Sequence, residues 1–293
     1  MSVLKVSNLK KSYKAGFIPR TQEVLKGIDF SIEPGKITGF LGANGAGKTT
    51  TMKCILGLCE PDSGDIRYFN NQLLDRKVKS KIGFLPERPY FYEYLTGEEF
   101  LIFYGQLSTN LKKSDLKIRI KDLLTKVDLL HAKDKALRGY SKGMLQKIGF
   151  AQALIHDPDF VILDEPMSGL DPDGRYYLSE LIKEVAHQEG KAVFFSSHLL
   201  PDAERLCQNL VIIKNGKVVF EGETLKLLEQ VHRGFEIVFA KQEKLEKLKV
   251  EDENELQKKI DYLRSENNRI FEIKKLNMSL EEAFVNIALE KKS

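Results

Sequence analysis

The chain has 293 residues, 42% of them hydrophobic and 30% charged, with 46 basic against 42 acidic side chains and a net charge of +4. That length gives room for one large domain and a smaller one, and excludes a mini-protein that needs disulfides or metal to hold together. The charge is too even to announce a nucleic-acid binder, which usually shows a concentrated basic face, and no run of about twenty apolar residues is present to cross a bilayer.

In chain order, short continuous apolar runs at 36–41, 82–85, 160–163, 192–195 and 210–213 end in loops of small or polar residues. Such runs suit strands buried on both faces, as in a parallel sheet. Helical patterns lie between them at 49–58, 116–130, 141–156 and 175–188, and the alternation predicts an α/β fold built of βαβ units. Residues 88–157 hold helical patterns without a convincing strand and read as a helical insertion between two parts of the sheet. After about Gly234 the texture changes. Residues 234–240 alternate like a strand, 253–266 form a charged helix, 269–274 alternate again, and 279–289 form an amphipathic helix opened by the capping box Ser279/Glu282. The expected division is 1–233 for the large domain, with its insertion at about 88–157, and 234–293 for a small βαβα domain.

The N-terminal Met1-Ser2-Val3-Leu4-Lys5 lacks the apolar stretch of a secretory signal. Cys54, Cys59 and Cys207 form no CxxC pair, and their odd number argues against a disulfide framework. A reducing cytoplasm is the expected compartment. The lysine groups Lys10/Lys11/Lys14 and Lys77/Lys79/Lys81 read as solvated surface.

The chemistry begins at Gly42-Ala43-Asn44-Gly45-Ala46-Gly47-Lys48-Thr49, which fits GxxxxGK[ST] and sits between an apolar strand and a helical pattern. Glycines let the backbone curl so that successive N–H groups point inward at phosphate oxygens, and the helix adds its positive end. Lys48 can reach the β- and γ-phosphates, the Thr49 hydroxyl can ligate Mg²⁺, and Thr50 follows in the same turn. A second strand, Phe160-Val161-Ile162-Leu163, ends in Asp164-Glu165. This puts two carboxylates at the sheet's carboxyl edge, where α/β ligands bind. Asp164 suits holding Mg²⁺ through water, and Glu165 suits orienting or deprotonating an attacking water. A nucleotide triphosphatase is the expectation.

Gly139-Tyr140-Ser141-Lys142-Gly143-Met144-Leu145-Gln146-Lys147, about twenty residues before Asp164, resembles the signature motif of ABC (ATP-binding cassette) ATPases, whose usual core is LSGGQ. Further marks of that family follow in order over residues 3–222. Tyr13 matches the adenine-stacking aromatic, Pro86-Glu87 the glutamine loop, Ser168-Gly169-Leu170-Asp171 the D-loop, and His198 the switch histidine. The resemblance implies a P-loop ATPase fold with a central, mostly parallel sheet, taking ATP and Mg²⁺, with Thr49, Glu87 and Asp164 toward the metal. It implies that Glu165 and His198 are catalytic, and that Ser141, Lys142 and Gly143 face the ATP of an opposite subunit in a head-to-tail dimer, with Ser168 and Asp171 in the D-loop. Ser141 is also a good N-cap for the helix that follows.

Two departures stand out. Lys142 and Met144 replace the usual glycine and glutamine of the signature, and Glu87 replaces the loop glutamine. Both variants resemble ATPase subunits of ABC-2 type exporters, as does the ending Ser279-Leu280-Glu281-Glu282-Ala283-Phe284. The implied function is a cytoplasmic ATPase motor, peripheral on the membrane, driving a separate transmembrane permease and binding no nucleic acid. A soluble ABC ATPase acting on nucleic acid or ribosomes is the alternative. No NKxD guanine-reading motif is present. The aromatic segment 88–96 (RPYFYEYLT) is the expected permease-docking groove, and equally suits packing of the insertion on the sheet.

Overall fold

The computed structural model describes residues 2–15, 20–230, 234–241, 244–276 and 279–289. Met1, Asn277, Met278 and the expected boundary at 233 therefore lie outside the described residues. The chain divides into two compact units, Met1–Glu221 and Gly222–Ser293.

The first unit opens with β1 (Leu4–Ala15) and β2 (Arg20–Ile32), then β3 (Ile37–Leu41), α1 (Lys48–Ile55), β4 (Ser63–Tyr68), α2 (Arg76–Lys79) and β5 (Ile82–Leu85). The insertion follows as α3 (Gly97–Ser108), α4 (Lys113–Lys126) and α5 (Lys142–Leu154). The chain then returns to the sheet with β6 (Phe160–Leu163), α6 (Pro172–His187), β7 (Ala192–Ser197), α7 (Leu200–Leu206), β8 (Asn209–Lys214) and β9 (Lys217–Glu223).

Two sheets result. β2-β1-β4 is antiparallel, and the six-stranded sheet runs β5-β6-β7-β3-β8-β9. Pairings from β5 through β8 are all parallel, and β8 passes to β9 through Asn215-Gly216, both at positive φ as a tight hairpin turn requires. Because β5, β6, β7 and β3 are parallel neighbours, the loops that follow them meet at one edge. The two sheets are joined by aromatic packing. Phe30 of β2 lies 5.6 Å from Phe40 of β3 and 5.7 Å from Phe194 of β7, ring centre to ring centre. These rings are almost wholly buried, so the strand carrying the glycine-rich loop is held from both sheets.

The five apolar runs are β3, β5, β6, β7 and β8, and the four helical patterns are α1, α4, α5 and α6. Residues 88–157 hold helices without a named strand. No described helix is long and apolar enough to cross a membrane.

The second unit contains α8 (Thr224–Gln230), β10 (Phe235–Lys241), β11 (Lys244–Val250), α9 (Glu253–Ser265), β12 (Arg269–Lys275) and α10 (Leu280–Leu289). Its antiparallel sheet has the order β11-β10-β12, with a core of Phe235, Ile237, Phe239, Val250, Ile260 and Leu263. The four elements expected after residue 234 are present, and β11 adds a strand whose sequence, Lys-Leu-Glu-Lys-Leu-Lys-Val, gives little sign of one. Leu248 and Val250 face the core in phase with the charged Glu246, and Leu245 alternates with Lys247 and Lys249 on the other face, so the strand shows no clean polar–apolar alternation.

Candidate functional site

The glycine-rich loop leaves β3 and enters α1 through Gly47, which caps the helix at φ 115°. Only glycine takes that conformation without strain, and a Cβ there would stand 2.7 Å from Leu25. Gly42 is needed for space, since a Cβ would meet the Ile213 carbonyl at 2.5 Å. Lys48, the first residue of α1, is buried, and its Nζ donates to the Gly42 carbonyl at 2.7 Å. The same ammonium lies 3.7 Å from Glu165 Oε1.

Across the sheet edge, β6 ends in Asp164 and Glu165, and β7 ends in Ser196 and Ser197, followed by His198. Ser196, fully buried, connects them. Its hydroxyl donates to Asp164 Oδ1 at 2.6 Å and accepts from the Glu165 backbone N–H at 2.8 Å. Glu165 adopts φ 47°, an uncommon left-handed conformation for a side chain of its size. It is held there by that N–H bond and by His198, whose Nδ1 is 2.7 Å from Glu165 Oε2. The carboxylate accepts, so Nδ1 carries the proton. Burial is the chief cause that pushes the Asp164 carboxyl above its ordinary range, with Glu165 and Glu87 adding repulsion while Ser196 and Lys48 oppose it.

A cavity of about 430 Å³ lies along this edge. Ala43, Asn44, Gly45, Gly47, Lys48, Thr49 and Thr50 form its floor. Tyr13, Gln22, Val24, Glu87, Glu165, Ser168 and His198 complete the wall. Gly42, Ala46 and Asp164 are buried behind this surface. Tyr13 is exposed, and its hydroxyl meets Cys59 Sγ at 3.4 Å.

The remaining candidates are arranged differently. Ser141 accepts from Met144 N–H at 3.2 Å and caps α5. Gly143 has open space before it, with only the Ser141 hydroxyl 3.9 Å from a Cβ placed there. Neither lines the loop cavity. Lys142 reaches the turn at 168–171, its ammonium against Gly169, and lines a neighbouring cavity of about 480 Å³ that shares Glu87 and Ser168 with the first. Asp171 caps α6 by accepting from Gly174 N–H at 2.9 Å.

Sequence reading left out Ser196, Gln22 and Val24. Gln22 lies opposite Tyr13 in the β1–β2 register, so recognising that hairpin would have found it. Ser196 had a weaker signal, a pair of serines closing an otherwise apolar strand. Gln146 is also missing from the expected set, although its buried Nε2 donates to the Pro166 carbonyl at 2.7 Å and ties α5 to the turn after Glu165.

Residues 25–168 match the family model described as "ABC transporter". An ABC transporter ATP-binding protein of Nostoc sp. is 44% identical over 230 residues, which cover 78% of this chain and 68% of that protein. The bacitracin transport ATP-binding protein of Bacillus licheniformis is 36% identical, over 75% of this chain and 69% of its own. Among solved structures, the ATP-binding subunit of an ABC transporter superposes with a TM-score of 0.68 at 33% identity, covering 78% of this chain and 93% of that one.

Proposed function

The chain belongs to the ABC transporter ATP-binding family, and from that premise we propose that it is the ATP-hydrolysing motor subunit of an ABC-2 type exporter, energising a separate transmembrane permease from the cytoplasmic face of the membrane. The observation that carries the reading is the Lys48–Glu165–His198 constellation, at 3.7 and 2.7 Å, beside a glycine-rich loop with open space in front of Gly45. A name given to one relative, bacitracin transport, supports a membrane cargo.

In this reading Tyr13 stacks on adenine and the loop N–H groups take the phosphates. Lys48 leaves the Gly42 carbonyl for the terminal phosphate. Glu165 takes a proton from the attacking water, and its fixed backbone keeps the carboxylate aimed while Lys48 and His198 hold its two oxygens. His198, which also lines the cavity, faces the terminal phosphate. Thr49, Asp164 and Glu87 are hard oxygen donors, and the crowding of Asp164 by Glu165 and Glu87 is the kind of repulsion a divalent cation relieves, so the donor set fits Mg²⁺. When bound, that ion would neutralise charge on the phosphates.

Ser141, Lys142 and Gly143 stand apart from this cavity and complete the site of a second subunit, homo- or heteromeric, in a head-to-tail dimer. The segment 88–96 offers Tyr90 and Tyr94, each more than 70% exposed, to the permease, while Tyr92 packs edge-on against Phe103. Two measurements test the reading. Hydrolysis must rise more steeply than linearly with enzyme concentration, and the chain must co-purify from membranes with an integral membrane protein. Linear hydrolysis, or stimulation by nucleic acid or ribosomes without a membrane partner, overturns it.

A further inference from the structure

Beside Tyr13, two thiols share a small polar cluster. Cys54 is on the last turn of α1 and is buried, and Cys59 is half-buried in the turn that follows. The backbone doubles back there. Gly57 N–H bonds to the Cys54 carbonyl, and Leu58 and Cys59 N–H both reach the Lys53 carbonyl, at 2.9 and 3.3 Å. This fold-back returns Cys59 to the helix end, where the two thiols interact. The Tyr13 hydroxyl meets Cys59 Sγ at 3.4 Å. The Lys11 ammonium, paired with Asp62 at 3.1 Å, lies 5.5 Å from the centre of the Tyr13 ring and also acts electrostatically on Cys59.

We propose that Cys54 and Cys59 are a thiol modification site, closed to a disulfide by small-molecule disulfides, and that closure weakens nucleotide binding by withdrawing the support of Tyr13. The second half rests on the reading that Tyr13 faces adenine. Cys59 is the entry point, because it is the more exposed of the two and its sulfur meets the Tyr13 hydroxyl at the surface. Burial pushes the Cys54 thiol up to about 12, so it acts second.

The chemistry balances. Cys59 loses its proton, and its sulfur attacks one sulfur of the disulfide RSSR. The S–S bond breaks and one RS⁻ leaves as RSH. The Cys54 sulfur then attacks Cys59 Sγ, displacing the second RS⁻, which takes the Cys54 proton. Two protein thiols are oxidised and one RSSR is reduced to two RSH. Turning Cys59 Sγ toward Cys54 costs its contact with the Tyr13 hydroxyl.

The test uses the full chain and bis(hydroxyethyl) disulfide as the probe. Peptide mapping should find Cys54 linked to Cys59, with a mixed disulfide on Cys59 as the earlier product and as the end product in Cys54→Ala. Affinity for a fluorescent ATP analogue should fall roughly fivefold or more on oxidation and return on reduction, a loss on the scale of one base–aromatic contact. Absence of the linked peptide overturns the proposal. So does a linked protein that binds the analogue as before while Tyr13→Ala binds it more weakly. Undiminished binding in Tyr13→Ala strikes instead at the placement of adenine and removes the link to nucleotide, while the peptide map decides the thiol chemistry by itself.

Discussion

Glu165 concentrates several demands on one residue. Its φ of 47° is a conformation that costs a non-glycine residue about 1 kcal/mol or more, and it is met by the Ser196 hydroxyl, the Lys48 ammonium and the His198 ring. Glu165→Gln keeps the shape and the chance to bond His198 but loses the basic oxygen. The expected outcome is retained ATP binding with turnover reduced about a hundredfold or more, read by steady-state hydrolysis beside nucleotide titration. Undiminished turnover would remove Glu165 from the catalytic role. A different residue governs acid stability. His156 is largely buried, its Nε2 against the Ile82 carbonyl and its Nδ1 without a partner among the described residues, and burial first of all lowers its pKa below 6.5. Between that lowered value and 6.5 the unfolded chain binds more protons than the folded one, so stability from this site is present above the window and lost as pH falls through it. Urea midpoints should therefore drop as pH falls below about 6.5, and the drop should shrink in His156→Gln.

At the scale of elements, α2, α5 and α6 each begin on a side-chain cap. Ser141 caps α5, Asp171 caps α6 and Asp75 caps α2. Ser141→Ala and Asp75→Ala should each cost about 1 kcal/mol in urea unfolding, yet only Ser141→Ala should also slow hydrolysis, since its hydroxyl is proposed to serve a second subunit's ATP. Equal hydrolysis in the two variants would reduce Ser141 to a cap. The segment 88–96 divides in the same way. Tyr94→Glu should abolish assembly with the proposed permease while leaving the free energy of unfolding within about 0.5 kcal/mol, because Tyr94 is 72% exposed, and co-purification with the membrane partner reads the loss. A large fall in stability would return this segment to the packing role that its sequence equally allowed.

For the whole molecule, the sequence made the parallel sheet legible because β3, β5, β6, β7 and β8 are buried on both faces and so appear as unbroken apolar runs. The first two strands escaped notice for a physical reason. β1 alternates correctly at Leu4, Lys5 and Val6, but a register shift between Val6 and Leu9, with Asn8 at φ 46°, breaks the period and leaves a lysine-rich remainder. The site follows the same division. The loop, the carboxylates and His198 could be read because each ends or follows an apolar run. Ser196, Gln22 and the Cys54–Cys59 pair depend on pairings between distant strands or on a turn's fold-back, which local pattern does not encode.

The strand order also sets a timetable for synthesis. β3 lies between β7 and β8, so the strand at 37–41 waits for partners at 192–197 and 209–214. A nascent chain of about 190 residues already contains the phosphate loop and Glu165, yet β3 still lacks both neighbours that would hold it. Chains interrupted before that point carry every residue of the glycine-rich loop but neither of the strands that flank β3. The edge that frames the phosphate loop is thus completed only when the large unit is nearly finished.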